Sequence, residues 1–410
     1  MVSATIDHLV ATTVLIVAFT LFMGLFGQVM HDALLYQFHM HLATKCSDTL
    51  DNILLSFGDM PGVFGLGDYN LEPYTLDSYL VMRLLSASGP LVEYPPGSGI
   101  KYSNISFGAG DYLLVPVSEC IDYETAQELL GLKGMYGFRL SLTPIIRISF
   151  ANIRTGSGGK SISFTVVVEG SGSPVGNANV TCRLLYVSGV DNETGCPIAG
   201  LSSMSRTTDL NGKAQFTFSN VDVSKNYVIV ASARVGSFYG VGYIYKQALT
   251  KAGNIIPFIE NMETGMIILA HSYDVKQFDS QSDLKYTAFY YTIDANWGLV
   301  NVPLLGNYSG HLNYAAGTHG KTFNRTQIPE EYLSMPGILV VVCRTGNDYG
   351  VTVMPWQVQS LSFSVEFGGN PYGWEWVATD VRHVLIGGVP YMAKLALWSL
   401  TGYQVVRYGW

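Results

Sequence analysis

The sequence predicts a mainly β protein that begins with one long α-helix. Residues Leu9 to Val29 form an uncharged apolar run of about 20 residues, and a helical stripe of apolar residues follows it. From about residue 146, short apolar segments alternate with Gly, Ser and Asn turns, which is typical of β-sandwiches. Charged residues make up only 13% of the chain, so the composition excludes a disordered protein.

The first helix is expected to run from about residue 5 to residue 57. After Met30, apolar residues recur at three- and four-residue steps, as on one face of a helix: Leu34, Phe38, Leu42, Cys46, Leu50, Ile53, Leu54 and Phe57. The preceding run is apolar on every side and long enough to cross a hydrocarbon layer. It lacks the basic start and the cleavage site of a secretory signal. The sequence therefore predicts a membrane anchor or a helix that another apolar environment surrounds.

The pattern of apolar and turn residues divides the chain into four segments. Residues 1–57 are the long helix, and residues 58–148 form a small mixed α/β region. In that region "YTLDSYLVMRLL" and "DYETAQELLGL" are typical of short helices with polar starts, and "YGFRLSLTPI" alternates like a strand. Residues 149–252 are expected to form an immunoglobulin-like (Ig-like) sandwich, and residues 253–410 a further β-rich domain.

Several short strands support the two β segments. In the third segment they are "GKSISFTVVVEG", "NANVTCRLLYV", "GKAQFTFSNV" and "YVIVASARV". In the fourth, "LSFSVEF" alternates strictly, and "GILVVVC" and "YGVTVMPWQV" are typical of buried strands. The sequence contains no tandem repeat and no flexible linker.

The start of the chain, "VSATIDHLVATTVLIVAF", resembles archaeal pilins and archaellins of the type IV pilin superfamily. The following block, "LLSFGDMP" through "YETAQELLGLKGMYGFRLSLTP", is similar to archaeal surface proteins of pilin type. The resemblance covers about the first third of the chain. One departure is the absence of a basic residue before a cleavage point, so the resemblance does not fix where a mature chain would begin.

Residues 160–246 resemble immunoglobulin-like surface domains of the bacterial-Ig or carboxypeptidase-regulatory type. The matching elements are "SPVGNANVTCRL", which places a turn before a strand, and "TTDLNGKAQFTF", which resembles a tight Asn-Gly hairpin. Modules of this type act as spacers and binding surfaces, so the resemblance implies no chemistry.

Together these resemblances imply a structural subunit of an extracellular archaeal filament of the type IV pilus kind, anchored in the membrane before it assembles. The partner would be the chain itself in a helical homopolymer, with surface glycans or other cells as further contacts. The residues assigned to assembly are Asp7, Leu9, Val14, Phe19, Phe22 and Phe26. The alternative is a monomeric surface adhesin or binding protein held by a single transmembrane helix.

Asp7 precedes the apolar run, and no Lys or Arg lies near it in the sequence. A carboxylate without a cationic partner is costly in lipid or in a filament core. One hypothesis pairs it with a chain N-terminus, within the subunit or in a neighbour, as the resemblance to pilins implies. The other places it in the first turn of the helix, where the helix dipole favours negative charge.

Cysteines and glycosylation sequons point to an exported chain. None of the five cysteines belongs to a zinc or redox motif, so we expect disulfides, with buried unpaired thiols throughout as the alternative. Cys182 and Cys196, which flank a sequon-bearing loop, are the first expected pair and Cys46 and Cys120 the second, with Cys343 as a buried unpaired thiol. Five Asn-X-Ser/Thr sequons are expected to lie on exposed loops and at least three to carry sugar: Asn104, Asn179, Asn192, Asn307 and Asn324.

The remaining motifs favour structural roles over catalysis. "RTGSGGKS" and "DLNGK" lack the full phosphate-loop and calcium-loop patterns, so we expect turns. His39 and His41, with His31 two turns earlier, point to different sides of the helix, so we expect no shared metal within one chain. The alternative is a metal held between neighbouring subunits. Glu330, Glu331 and Glu375 are expected to lie in exposed loops. We expect no enzymatic activity and no cofactor, and the net charge of −8 argues against nucleic-acid binding.

Three aromatic clusters have two interpretations. They are "FYGVGYIY", "YTAFYYTI" and "GGNPYGWEWV". Such clusters are typical of core strands and subunit contacts, and they also stack on sugars.

Overall fold

The computed structural model describes most of the chain. The described residues are 2–58, 63–68, 72–85, 91–95, 97–105, 113–246, 255–271, 284–293, 299–312, 323–357, 360, 362–374 and 376–400. For residues 2–7, 92, 103–105, 113–114, 271, 293 and 299, only the backbone is described. The predicted fold class is confirmed, because one long helix is followed mainly by β-strands, with a small α+β region first.

Helix α1 spans Val2–Leu55 without interruption, close to the predicted bounds. It ends where the chain folds back on it, because the Leu66 and Gly67 amides donate to the carbonyls of Ile53 (2.8 Å) and Ser56 (3.0 Å). These bonds satisfy carbonyls that the end of a helix leaves without partners. A Cβ atom at Gly65 would lie 2.0 Å from the Ser56 oxygen, so only glycine permits this approach.

Among the described residues of the region after α1 there are two short α-helices, both at predicted places. Helix α2 (Ser78–Met82) begins at Asp77, whose carboxylate accepts the Tyr79 amide (2.7 Å). Helix α3 (Tyr123–Leu129) begins at Asp122, which accepts the Thr125 amide (2.9 Å). The strands of this region are β1 (Thr75–Leu76), β2 (Val92–Glu93), β3 (Lys101–Ile105), β4 (Leu113–Pro116) and β5 (Tyr136–Pro144).

The middle of the chain forms an Ig-like sandwich. Its strands are β6 (Ile146–Thr155), β7 (Ser161–Gly170), β8 (Ser173–Pro174), β9 (Asn179–Val190), β10 (Pro197–Thr207), β11 (Lys213–Ser219), β12 (Tyr227–Val235) and β13 (Phe238–Lys246). One sheet has the order β10-β9-β12-β13 and the other β11-β7-β6, with β8 on β7. Both sheets are antiparallel, and alternate side chains such as Phe164, Phe216 and Ile229 fill the core between them.

The part of the chain that follows the sandwich, residues 255–355, also forms sheets and is here called the third region. Its strands are β14 (Ile255–Asn261), β15 (Met266–His271), β16 (Leu284–Ile293), β17 (Leu299–Val302), β18 (Leu305–Gly306), β19 (Ser309–Leu312), β20 (Phe323–Gln327), β21 (Gly337–Thr345) and β22 (Asp348–Pro355). One sheet has the order β14-β15-β20-β18, and the other the order β17-β16-β21-β22 with β19 on β16. Strands β21 and β22 confirm the two predicted buried strands.

The last three strands leave this region and return to the start of the chain. They are β23 (Val365–Gly368), β24 (Val377–Ile386) and β25 (Val389–Ser399). They join β1 and β5 in a sheet of order β1-β24-β25-β5-β23, here called the docking sheet because α1 packs on it. The sheets therefore divide the chain differently from the predicted boundaries, since residues 365–399 share a sheet with residues 136–144.

Two local expectations are wrong. "TTDLNGKAQFTF" is not a hairpin, because β10 and β11 lie in different sheets and Asp209 organises the turn between them by accepting the Asn211 and Lys213 amides. "LSFSVEF" forms a strand only from Val365. Ser362 has a positive φ of 53°, and its hydroxyl accepts the Val241 amide at 2.9 Å, so this part of the chain contacts the sandwich.

Candidate functional site

The apolar half of α1, residues Leu9 to Val29, is exposed on every side. The predicted assembly residues from Leu9 onward are each more than half exposed: Leu9, Val14, Phe19, Phe22 and Phe26. Every residue from His8 to Leu34 is exposed, so no face of this half touches the rest of the chain. About 20 residues at 1.5 Å each give an apolar cylinder about 30 Å long, which matches a hydrocarbon layer. Among the described residues, α1 is the one helix long and apolar enough to cross a membrane.

The hydroxyl groups inside this segment are satisfied within the helix. Thr12 donates to the His8 carbonyl (2.7 Å), Thr13 to the Leu9 carbonyl (2.8 Å) and Thr20 to the Ile16 carbonyl (2.7 Å). These bonds remove the polar cost of placing the three threonines among apolar groups. The segment therefore carries apolar side chains and internally bonded hydroxyls on its whole surface, as a non-aqueous environment requires.

Asp7 lies in the second turn of α1, because the helix begins at Val2 and its first turn holds no acidic residue. Whether Asp7 meets the positive end of the helix dipole depends on where the mature chain begins, so this expectation stays a prediction. The Asp7 side chain lies outside the described side chains, and its pairing with a chain N-terminus stays a prediction.

The other half of α1 is docked by one face. Apolar side chains at helical spacing are buried against β24 and β25: Leu42, Cys46, Leu50, Ile53 and Leu54. Phe38 is half-buried and packs edge-on against Trp376, with the ring centroids 6.3 Å apart, whereas Leu34 is 60% exposed. Docking therefore begins near Phe38, about one turn later than the predicted stripe begins.

An ion-pair network closes the junction between α1 and β24. The Arg382 guanidinium donates to both carboxylate oxygens of Asp51 (3.0 and 3.2 Å) and to the Ser47 hydroxyl (3.0 Å). It also lies 2.8 Å from the Asp380 carboxylate. Partial burial raises the pKa of Asp380, but hydrogen bonds from Ser47, the Val381 amide and Arg382 outweigh burial and hold the pKa below its usual range. The hydrogen bond with Asp51 is the largest cause that raises the pKa of Arg382, and contacts with Tyr74 and Asp380 raise it further.

Both predicted disulfides are wrong, because Cys46, Cys120, Cys182 and Cys196 are free thiols. Cys182 lies opposite Met204 in the β9–β10 pair, whereas Cys196 immediately precedes the far end of that pair. Eight residues of strand separate these positions, about 26 Å at 3.3 Å per residue, and a disulfide requires Cα atoms within about 7 Å.

The second predicted pair, Cys46 and Cys120, is wrong because the two thiols contact different parts of the chain. The Cys46 thiol is buried under the docking sheet, 3.6 Å from the Leu395 carbonyl, and burial raises its pKa to about 11. Cys120 follows a 3-10 turn, 3.7 Å from the Pro116 carbonyl. Cys343 is buried in β21, outside both predicted pairs.

The sequon asparagines occupy different environments. Asn179, Asn192 and Asn307 are exposed, but Asn179 is the first residue of strand β9 and so does not lie on a loop as expected. Asn324 lies half-buried in β20, where its side-chain amide donates to the Tyr286 hydroxyl at 2.7 Å, so the expectation of an exposed loop is wrong there. The Asn104 side chain lies outside the described ones. Glycosylation of at least three asparagines stays a prediction, and the structure favours the three exposed ones.

The motifs considered as phosphate, metal or catalytic sites form turns or pack against neighbouring side chains. "RTGSGGKS" is the turn between the antiparallel strands β6 and β7. Among the described residues no group of His, Cys, Asp and Glu could hold a metal. His39 packs on Trp376 with a centroid distance of 4.2 Å. Glu330 and Glu331 are exposed in a short turn, and Glu375 lies outside the described residues.

The aromatic clusters separate into two kinds. Tyr239 of the first and Tyr286, Tyr290 and Tyr291 of the second are buried, so both strands contribute to the core. The third cluster is a loop next to α1, and its Tyr372 is 92% exposed. The sequence signal for this difference was the density of Gly, Asn and Pro in the third cluster, which is typical of loops.

A cleft of about 500 Å³ lies between the docking sheet and the third region. Its lining includes Asp68, Asp77 and Glu263 beside Tyr79 and Trp356, and no Lys or Arg from the described residues. The Asp77 carboxylate is engaged in the start of α2. Sequence reasoning missed this cleft, because its lining comes from six separate stretches between residues 68 and 388.

Comparisons with known proteins identify no family. No protein-family model and no curated protein matches the chain. Among solved structures, the D0-D1 domain of intimin is 15% identical, with 55% of this chain and 98% of that chain covered and a TM-score of 0.20. A trypsin-activated alpha-2-macroglobulin from Escherichia coli is 9% identical, with 58% and 19% covered and a TM-score of 0.20. A Salmonella alpha-2-macroglobulin reacted with methylamine is 11% identical, with 58% and 17% covered and a TM-score of 0.19. Likenesses this low assign no function to this chain.

Proposed function

We propose that this chain is a surface protein whose apolar half-helix anchors it in a membrane and whose β regions act outside by binding rather than by catalysis. The observation that carries the proposal is the division of α1. One half exposes apolar side chains on all sides, and the other half is fixed to the docking sheet by one face. The sheets that follow α1, here called the β body, are thus joined to the anchor without a flexible linker.

The physical reason is the cost of leaving the first half in water. Burying one large apolar side chain stabilises a protein by about 1.5–3 kcal/mol, and this segment exposes a continuous series of them. Contiguous exposed apolar surface of this size marks an interaction with membrane or protein. A hydrocarbon layer of about 30 Å fits the length and the internally bonded threonines.

A second candidate is a filament subunit, as the resemblance to pilins implies. The observation that favours it lies beyond the apolar run, where Leu34, Tyr36 and Met40 are 60%, 68% and 51% exposed. A monomer leaves these side chains in water outside the hydrocarbon layer. In a bundle of parallel helices they would be buried against neighbouring copies.

The test combines membrane extraction with electron microscopy of material sheared from cells that produce the full chain. The anchored monomer predicts a chain that resists alkaline extraction, dissolves in detergent and is absent from sheared material. The filament predicts regular sheared filaments that contain the chain. A chain that is soluble without detergent and forms no filaments would overturn both proposals.

A pair of matched variants separates the two candidates further. Leu34→Glu with Met40→Glu adds charge to the exposed helix surface outside the hydrocarbon layer. Leu201→Glu with Leu210→Glu adds the same charge to exposed positions of the sandwich and is the control. A filament predicts loss of filaments in the helix variant alone, whereas an anchored monomer predicts normal membrane retention in both.

A further inference from the structure

Contacts along α1 fix the direction of the docking sheet relative to the apolar half. Phe38 packs against Trp376, just before β24 begins, and Asp51 pairs with Arg382 in the middle of β24. Strand β24 therefore runs in the same direction as the helix, away from the apolar half. The start of β24 belongs to the end of the sheet that is nearest the apolar half, here called the proximal end.

The strand pairing brings three other strand termini to the proximal end. Val377 lies opposite Trp398, so the end of β25 is there. Ser399 lies opposite Tyr136, so the start of β5 is there as well. Gly368, the last residue of β23, pairs with Arg139 near the start of β5.

The loop Gly369–Trp374 crosses the proximal end of the sheet, from the edge strand β23 towards the inner strand β24. It leaves β23 at one edge of the sheet and leads towards β24, so it must pass the termini of β5 and β25, which lie between them. The contacts agree, because Trp374 stacks on Trp398 with the centroids 6.4 Å apart, and a Cβ atom on Gly369 would lie 3.1 Å from the same indole. The loop therefore forms the face of the β body that is directed towards the apolar half.

This face presents apolar and aromatic groups to solvent. Tyr372, in the middle of the loop, is 92% exposed, and Met135, just before β5, is 51% exposed. Trp374 and Trp376 are each half-buried. Tyr and Trp are the residues enriched at both surfaces of membranes, because their rings combine an apolar body with a polar tip.

The length of helix between the apolar run and the loop suits contact with lipid headgroups. From Val29 to Phe38 the helix rises about 13 Å. The headgroup layer on each side of the hydrocarbon is about 5–7 Å thick. The remaining gap is about 6–8 Å, roughly the length of one tyrosine side chain, and the loop lies on the membrane side of Phe38's partner Trp376.

We propose that the loop Gly369–Trp374 rests on the lipid headgroup layer, with Tyr372 as its principal contact. The inference depends on the proposed membrane anchoring and adds a second contact to it. With the helix and the loop both engaged, the docking sheet is held at a fixed height above the membrane. The sandwich and the third region are then directed away from the membrane.

The experiment places an environment-sensitive fluorophore at single positions of the full chain in phosphatidylcholine vesicles and in detergent micelles. The variants are Tyr372→Cys for the loop, Phe22→Cys for the apolar half and Leu210→Cys for an exposed site on the sandwich. Each also carries Cys120→Ser, because Cys120 is partly exposed whereas the other native thiols are buried. We expect a blue shift and several-fold higher emission at position 372 in vesicles than in micelles. Position 22 should be shielded in both environments, and position 210 in neither.

Each other outcome has a separate meaning. If position 22 is shielded in vesicles and position 372 behaves like position 210, the anchor stands and the loop contact is overturned. If position 22 is not shielded in vesicles, the proposed function itself fails. Shielding of position 372 that is already present in micelles, or that rises with protein concentration, would assign its cover to the chain or to another copy and would also overturn the lipid contact.

Discussion

The two halves of α1 share one continuous helix and differ in what surrounds them. Between Leu9 and Val29 no charged residue occurs and every side chain is exposed, so the environment must come from outside the chain. Between Leu42 and Leu54 one stripe is buried, and polar residues such as Asp48 and Asn52 face water. The apolar pattern of the sequence therefore determines what surrounds each half of the helix, whereas the backbone geometry is the same in both halves.

The largest effect is expected from charge in the apolar half. Phe19→Arg with Phe22→Arg places two guanidinium groups near the middle of the segment, where each costs about 2.5–3.5 kcal/mol in lipid. We expect loss of membrane retention, measured by alkaline extraction. The control, Leu201→Arg with Leu210→Arg in the sandwich, should be retained, and retention of the helix variant as well would contradict a lipid environment.

The next effect concerns the docked half. Leu50 is fully buried, so Leu50→Ala should lower the free energy of unfolding of the β body by about 2–5 kcal/mol. Leu34→Ala, at an exposed position of the same helix, should change it by less than about 0.5 kcal/mol. Denaturant titration in detergent measures both. Equal effects would mean that the two positions share one environment.

An alkaline pH dependence should also belong to the docked half. Burial raises the pKa of Cys46 to about 11 from an ordinary value near 9, so the folded state keeps the thiol while the unfolded state loses its proton. The contribution of the neutral buried thiol to the free energy of unfolding is complete below pH 9. It is lost as the pH rises towards 11, by about 1 kcal/mol for each pH unit. Cys46→Ala should make the fall of stability over this window less steep than in the native chain. An unchanged slope would show that the thiol is not buried.

The smallest effect is expected from the ion pairs at the junction. Arg382→Met leaves Asp51 and Asp380 without their cation, and because these groups are partly exposed we expect a loss of about 1 kcal/mol, smaller at high salt. The matched control is Arg139→Met, which removes the pair with Glu366 in the same sheet but away from α1. Proteolysis within α1 should increase for the first variant only. Equal proteolysis of both would remove the role of Arg382 in docking the helix.

The sequence predicted local elements better than long-range ones. Periodicity predicted α1 and the buried positions from Leu42 to Leu54, and alternation predicted β5, because both signals lie within a few residues. The pairing of β5 with β23 and β25 joins residues more than 200 positions apart, and no local pattern encodes it. The disulfide predictions failed for the same reason, since cysteine spacing in sequence does not determine distance in the fold.

The site was only partly visible in the sequence. The apolar run predicted the anchor directly, whereas the aromatic cluster around Tyr372 fitted both a core or subunit contact and a sugar-binding surface. Its position at the proximal end follows only from the direction of β24 along α1, which depends on contacts such as Asp51 with Arg382. The network at the junction had no sequence signal, because its members are about 330 residues apart.

A scan of spin labels along α1, one position at a time from Leu9 to Leu54 in lipid vesicles, tests the division of the helix most directly. Accessibility to oxygen, which concentrates in lipid, should be high and without helical periodicity from Leu9 to Val29. From Phe38 to Leu54 it should be low and should vary every three to four residues, with minima at Leu42, Cys46, Leu50 and Ile53. A three- to four-residue period within the first half would contradict the account, because it would mean that one face of that half packs on protein while the other does not.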